Sequence, residues 1–339
     1  MNKINRRAFL DKNHKFTIIE DDIPLLKEDE LLIEIKANGI CGSDIHFYKE
    51  GRLGNFVVDS PYVPGHESSG VIAEVGSSVK GFSKGDHVVI EPGIPCGICG
   101  YCKSGRYNLC PEVVFLSAPP VNGTFCDYIT IRSDMVFRIP KTLSFEEAAM
   151  VEPVAVGVHA VNRAKFNSGD TAIIIGAGPI GILTAQAFKA AGGGEVICVD
   201  FNKSRLNFAK KVGIDKVAFP TDSSLEGGAE VVFETAGAAK ATASTFSYCR
   251  TGGCIVQVGW PGGNIVEMNI ATFLDKELDY VAVNRYANAF PIAIKWISEG
   301  RINVKELITD RFSLDNISLA FEYSSKNPDK VVKTIVFND

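Results

Sequence analysis

TAIIIGAGPIGILTAQAFKAAGGGEVICVDFNKSRLNFAKKVG, residues 171–213, decides the fold class. The apolar run AIII leads into a glycine-rich turn, a helical pattern, a second apolar run and another helical stretch. That order is a βαβ unit of a parallel sheet. Gly176, Gly178 and Gly181 form GAGPIG, with Pro179 and Ile180 between the last two, directly after the strand and at the start of the helix. In that setting the first glycine permits the tight turn, the second lets backbone approach a pyrophosphate, and the third lets helix and strand pack closely. The helix N-terminus adds unpaired N–H groups and the positive end of its dipole. Asp200 closes the second strand, where a carboxylate receives ribose hydroxyls and repels a 2′-phosphate, so NAD is expected over NADP. Arg205, just beyond, is placed to lie against the adenine or its ribose and hints at NADP tolerance. A glycine turn serving packing alone explains the glycines but leaves Asp200 a coincidence.

Further apolar strands are expected at EVVFETAG (230–237), CIVQVGW (254–260) and LDYVAVN (278–284), completing a doubly wound six-stranded sheet. The first half has a different grammar. Its short alternations LLIEIKANGI (31–40), GVIAEVG (70–76) and GDHVVIEP (85–92), punctuated by Gly and Pro, predict a mostly antiparallel β domain. From Ala287 the segment ANAFPIAIKWISEG reads as an amphipathic helix and VVKTIVF (331–337) as a strand that returns to the first domain. The expected fold is therefore α/β in two domains: residues 1–151 with 287–339, and a dinucleotide-binding domain over 152–286.

The chain has 339 residues, 46% apolar and 22% charged, the balance of a globular protein large enough for two cores. Its net charge of −5 argues against a nucleic-acid surface, which needs clustered Lys and Arg. No apolar run reaches bilayer-spanning length, and no signal-peptide pattern follows the first residues, so a cytoplasmic protein without membrane association is expected. In a reducing compartment, a dense subset of the nine cysteines points to metal or catalysis.

Cys96, Cys99, Cys102 and Cys110 follow C-x2-C-x2-C-x7-C, with glycines between them that let backbone wrap an ion. Four thiolates complete the shell of tetrahedral Zn²⁺, which would then be structural. An iron–sulfur cluster is the rival, since the first three cysteines and Pro111 match a ferredoxin run, although the fourth cysteine is too distant for it. A second set is scattered: Cys41 in GICGSDIH, His66 and Glu67 in PGHESSG, and Glu152 in EPVAVGVHA. Singly each is weak. Together they offer a thiolate, an imidazole and carboxylates, a zinc set with room for substrate.

CGSDIH, GHE, the four-cysteine lobe, GAGPIG with Asp200 and the order of the domains resemble the zinc-containing medium-chain alcohol dehydrogenase superfamily over essentially the whole chain. The resemblance implies a GroES-like first domain, a Rossmann second domain, a catalytic and a structural zinc, and hydride transfer to NAD⁺. Within the superfamily the chain looks like the polyol dehydrogenases of the sorbitol, xylitol and iditol group. Glu152 stands where simple alcohol dehydrogenases have a second zinc cysteine, and Tyr48 and the Arg285–Tyr286 pair complete the likeness. By the same resemblance Ser43 and His46 belong to a proton relay, with Glu152 as the alternative base through zinc-bound water. Val258, Gly259, Trp260, Val283, Asn284 and Arg285 touch the nicotinamide half of the cofactor. Tyr48, Phe115, Glu152, Arg285 and Tyr286 contact a small-molecule polyol, and the protein is a homotetramer, the strand 278–284 pairing between subunits. Threonine or another secondary alcohol is the rival substrate, and a non-catalytic zinc and dinucleotide sensor the rival class. His14, His87 and His159, with Cys126, Cys198, Cys249 and Cys254, are expected to be packing or surface residues rather than ligands.

Overall fold

A computed structural model describes residues 4–261 and 265–338, in two compact units. The first holds residues up to Glu152 together with those from Leu307 onward; the second is Pro153–Glu306.

The first unit is built on a seven-stranded sheet. Its central strand, Glu30–Gly39, is buried at nearly every position, which is why its sequence is a near-continuous aliphatic run. It pairs antiparallel with Glu67–Val75, with Tyr128–Arg132 and with the late strand Lys333–Phe337. Leu31, Ile33, Ile35, Ile72, Val88, Ile90 and Ile131 pack on one another to form one core, and Phe125, Ile317, Phe321 and Val336 anchor a second. Register decides what meets at the end of this sheet. Gly39 lies opposite Glu67 on one side and opposite Ile335 on the other. The Ile40 N–H donates to the Thr334 carbonyl at 3.0 Å, extending the second ladder toward Lys333. A Cβ at Gly39 would run into the Glu67 carboxylate, so the space that carboxylate fills exists because residue 39 has no side chain.

The four cysteines lie in a lobe closed by a small antiparallel ladder between Gly93–Ile94 and Val114–Phe115. Inside it are a one-turn helix, Gly100–Lys103, and a 3₁₀ turn, Tyr107–Leu109. The Tyr107 hydroxyl donates to Glu91 at 2.8 Å and ties the lobe to the end of strand His87–Ile90. Glu91 is 2% exposed, and burial pushes its pKa up to about 7.

The second unit is a parallel six-stranded sheet in the order Lys216–Ala218, Val196–Val199, Ala172–Ile175, Ala229–Glu234, Cys249–Gln257, Asp279–Ala282. This is the doubly wound arrangement, with its switch of direction beside Ala172–Ile175. All four residues of that strand are buried, as a strand covered on both faces requires. The unit runs past residue 286, where the sequence reading ended it. The helix Phe290–Ser298 buries Phe290, Ala293 and Ile297. Beyond it Arg301 donates to the Ala190 carbonyl and the Asn303 N–H to Gln186 at 2.6 Å, so 287–306 cluster with the second unit and the chain returns at Leu307. The amphipathic pattern was visible in the sequence, but not the surface it covers. Among the described residues, no helix is long and apolar enough to cross a membrane.

Gly176 has φ 102°, a backbone conformation that favours glycine, and a Cβ there would sit 3.0 Å from the Thr235 hydroxyl. Gly176→Ala is expected to cost about 1–3 kcal/mol, read as a lower urea midpoint for the second unit.

Candidate functional site

Cys41 directly precedes the helix Gly42–Glu50, whose third residue, Asp44, reaches back to accept the Cys41 N–H at 3.0 Å. Asp44 is fully buried. Its other oxygen accepts the Ser117 hydroxyl at 2.8 Å and faces His66 Nδ1 at 3.7 Å. Ser117 in turn accepts the Gly65 N–H at 2.9 Å, fixing the loop that carries His66. His66 and Glu67 enter the strand Glu67–Val75, and Cys41 follows its neighbour Glu30–Gly39. The ladder between these strands gathers residues that are distant in sequence.

Cys41 Sγ, a His66 ring nitrogen and a Glu67 oxygen lie within 4.8 Å of one another. Burial opposes a charged His66, but Asp44, Cys41 and Glu152 together hold its pKa well above the ordinary imidazole value. Burial pushes the Asp44 pKa up, against the pull of His66. The donor chemistry fits zinc: one thiolate, one imidazole and one carboxylate, with His66 Nδ1 buried and without a hydrogen-bond partner. Glu152 is buried and acts electrostatically on His66, yet it stands outside the 4.8 Å group. Phe115, in the ladder at the base of the lobe, lays its ring 5.6 Å from that of His66 and forms an apolar wall there.

The remaining candidates of the first unit occupy different settings. Ser43 is half-buried in the first turn of Gly42–Glu50. His46, on the exposed side of that helix, pairs with Glu50 at 3.0 Å. The Tyr48 ring packs against Phe16 and Phe321, at centroid distances of 6.0 and 5.5 Å, and its carbonyl meets His14 Nδ1 at 2.6 Å. His87 stacks on Phe145, and burial pushes the His159 pKa down to about 4. Cys126, Cys198, Cys249 and Cys254 are buried thiols.

The lobe cysteines Cys96, Cys99, Cys102 and Cys110 also converge within 4.8 Å. Sulfur–sulfur distances of 3.4 and 3.9 Å bracket the ~3.8 Å that tetrahedral vertices take with ~2.3 Å Zn–S bonds. Backbone N–H groups of Ile98 and Cys99 lower the Cys96 pKa to about 7, while burial and its cysteine neighbours push that of Cys102 up to about 12. The four-sulfur set fits a structural zinc.

In the second unit the three glycines differ in what surrounds them. A Cβ at Gly176 would crowd Thr235 and Ala236, and one at Gly181 would strike the Gly176 carbonyl, whereas one at Gly178 would meet nothing within 4 Å. Gly178 is therefore open to a ligand and caps the helix Pro179–Ala190, which begins with Pro179 and Ile180. Asp200 accepts the Ala177 and Asn202 N–H groups, each at 2.8 Å, tying the end of its strand to the glycine turn. Arg205 is half-buried in the following helix, Lys203–Lys211. Val258 and Gly259 donate their N–H groups to the Glu234 carbonyl at 2.8 Å, and Trp260 is exposed. Val283 donates to the Gln257 carbonyl at 2.9 Å, and Asn284 is exposed. Arg285 is half-buried with φ 56°, a conformation rare outside functional loops for such a residue, and burial lowers its pKa. Tyr286 is 3% exposed and packs on Phe290.

Three residues of the first site escaped the sequence reading. Asp44 was quoted within CGSDIH but given no role. Ser117 and Lys333 carried no motif; Lys333 Nζ sits 2.6 and 2.7 Å from the two Glu67 oxygens.

Residues 27–141 match the alcohol dehydrogenase GroES-like domain and 179–299 the zinc-binding dehydrogenase domain. A sorbitol dehydrogenase of Bacillus subtilis is 43% identical over 93% of this chain and 92% of its own. D-xylulose reductase A of Aspergillus oryzae is 36% identical over 98% and 96%. The crystal structure of L-idonate 5-dehydrogenase from Escherichia coli superposes with a TM-score of 0.93 at 28% identity, covering 99% of each chain. With both domain models matched, near-full-length relatives and two cysteine-bearing sites that suit zinc, the chain belongs to the zinc-containing medium-chain alcohol dehydrogenase superfamily and is a zinc-dependent alcohol or polyol dehydrogenase.

Proposed function

We propose that the enzyme oxidises a secondary hydroxyl of a sorbitol- or xylitol-like polyol to a ketose, with NAD⁺ as acceptor. The observation that carries this reading is the Cys41–His66–Glu67 group, with Cys41 half-buried and the other two buried, in which three residues each offer a ligand atom and a position remains for substrate. Sorbitol and xylulose in the names of near-full-length relatives support the substrate class. When bound, zinc stabilises a deprotonated hydroxyl and the nicotinamide accepts hydride.

The chain's own residues bind, orient and shield. Cys41, His66 and Glu67 hold the metal, Asp44 fixes the His66 ring, and Phe115 excludes water beside it. Glu152 is a further metal-side carboxylate acting through water, and Ser43 is placed for proton release. His46, on the exposed side of its helix, carries the proton outward. Gly176, Gly178, Pro179, Ile180 and Gly181 cradle the pyrophosphate, and Asp200 holds the ribose and sets the preference for NAD, with Arg205 beside it. Val258, Gly259, Trp260, Val283, Asn284 and Arg285 serve the nicotinamide half. Tyr48, Arg285 and Tyr286, with Glu152, are the proposed polyol contacts; a site that pairs several hydroxyls rejects alcohols lacking them. Cys96, Cys99, Cys102 and Cys110 hold a structural zinc. The protein works as a cytoplasmic homotetramer that uses the edge strand Asp279–Ala282 between subunits.

NADH absorbance should rise with sorbitol, xylitol or galactitol, and less with threonine or butane-2,3-diol; equal or greater rates with threonine would overturn the substrate class, and no rate with any alcohol from the zinc-replete protein would overturn the dehydrogenase reading. Cys41→Ser is expected to lower turnover by more than about 100-fold, beyond the usual effect of losing an outer-shell partner, while the folded protein still binds NADH and keeps the lobe zinc. Cys102→Ser should instead lower the thermal midpoint first. A light-scattering mass equal to one chain would rule out the oligomer.

A further inference from the structure

Lys333 is 4% exposed and Glu67 1%. The Lys333 ammonium has three protons and three acceptors: both Glu67 oxygens at 2.6 and 2.7 Å, and the Ile40 carbonyl at 3.2 Å. Strand register delivers it there. Ile335 faces Gly39, and the ladder continued by the Ile40–Thr334 hydrogen bond brings Lys333 level with Cys41. Yet one oxygen of this same carboxylate also lies within 4.8 Å of Cys41 Sγ and a His66 nitrogen. Glu67 therefore stands between two cation positions, one filled by a side chain of the protein and the other suited to the metal. With Glu67 and Lys333 so little exposed, such competition is only weakly screened.

Resting on the metal reading given above, we propose that Lys333 is a positioning residue that competes with the catalytic metal for the Glu67 carboxylate. An oxygen that accepts a charge-assisted hydrogen bond from an ammonium has less electron density to give a metal. Lys333 thereby keeps Glu67 a weak, exchangeable ligand and leaves the coordination shell able to admit substrate. A lysine present only to neutralise a buried carboxylate would affect the stability of the metal-free fold alone. A general electrostatic effect on the metal would act whether or not residue 67 is a carboxylate. Competition requires both side chains.

The test is zinc transfer to an excess of a chromogenic chelator, followed in the zinc-loaded full-length protein. The kinetic phase absent from Cys41→Ser reports this site. Lys333→Met should slow that phase by about tenfold or more, the scale on which outer-shell partners alter metal affinity, and should lower kcat. Lys333→Gln, which keeps a hydrogen bond but not the charge, should slow it less. Both variants are to be folded and purified with zinc, whose binding offsets the lost ion pair. In a Glu67→Gln background neither substitution should change the rate. Should only one variant fold, that variant and its Glu67→Gln partner decide the matter. The proposal is overturned by a folded neutral variant that releases zinc at the wild-type rate, or by slowing that persists undiminished with Glu67→Gln. Wild-type protein showing no Cys41-dependent phase would instead overturn the metal reading beneath it.

Discussion

Withdrawing charge from water is the constraint on which the first unit turns. Asp44, His66, Glu67, Glu152 and Lys333 are each less than a tenth exposed, and an ion left unpaired in such a place costs several kcal/mol. Every feature around them answers that penalty. Asp44 takes the Cys41 N–H and the Ser117 hydroxyl, Glu67 takes Lys333, and Gly39 gives up its side chain so that the Glu67 carboxylate fits. Register follows from the same requirement. A one-residue slip of Lys333–Phe337 would turn Lys333 to the other face of the sheet and leave Glu67 without its cation.

The second unit solves the opposite problem. Its glycine turn works by what is missing, since a Cβ at Gly178 would meet nothing within 4 Å and Gly176 and Gly181 let chain segments close up. The buried carboxylate of Glu234 serves this backbone directly. It accepts the Ala236 and Gly237 N–H groups at 2.9 and 3.0 Å, together with the Gln257 amide, and so joins the ends of two adjacent strands. One unit thus concentrates side-chain charge and the other organises peptide groups.

How much was legible in the sequence follows from this division. GAGPIG and Asp200 are local, so roles could be proposed for them from order alone, and five of the six parallel strands fell close to their expected places, Lys216–Ala218 having been given none. The four lobe cysteines were equally plain, because a metal shell closed within fifteen residues leaves its spacing in the chain. Cys41, His66 and Glu67 could be named as donors, but Asp44, Ser117 and Lys333 could not be given their parts. Their meaning lies in cross-strand pairing, which a linear pattern does not record. Tyr48 carries the same lesson: motif position suggested a substrate contact, but the pattern did not record the aromatic cluster with Phe16 and Phe321 in which its ring sits. The misplaced return point had a similar cause, for the helix Phe290–Ser298 looks the same in sequence whichever core it covers.

The strand Lys333–Phe337 lies between Glu30–Gly39 and Ile308–Ser313, so the sheet of the first unit is finished by segments that follow the whole of the second. A ribosome delivers these pieces in order, and domains fold largely as they emerge. During synthesis the nascent first unit must wait, with residues 37–39 of one edge unpaired and Glu67 still lacking its lysine, while the parallel sheet is translated. An open edge of this kind invites wrong pairing. Glu67 accordingly receives its lysine only after the second unit has been translated, although Cys41, His66 and Glu67 are themselves among the first residues to be made.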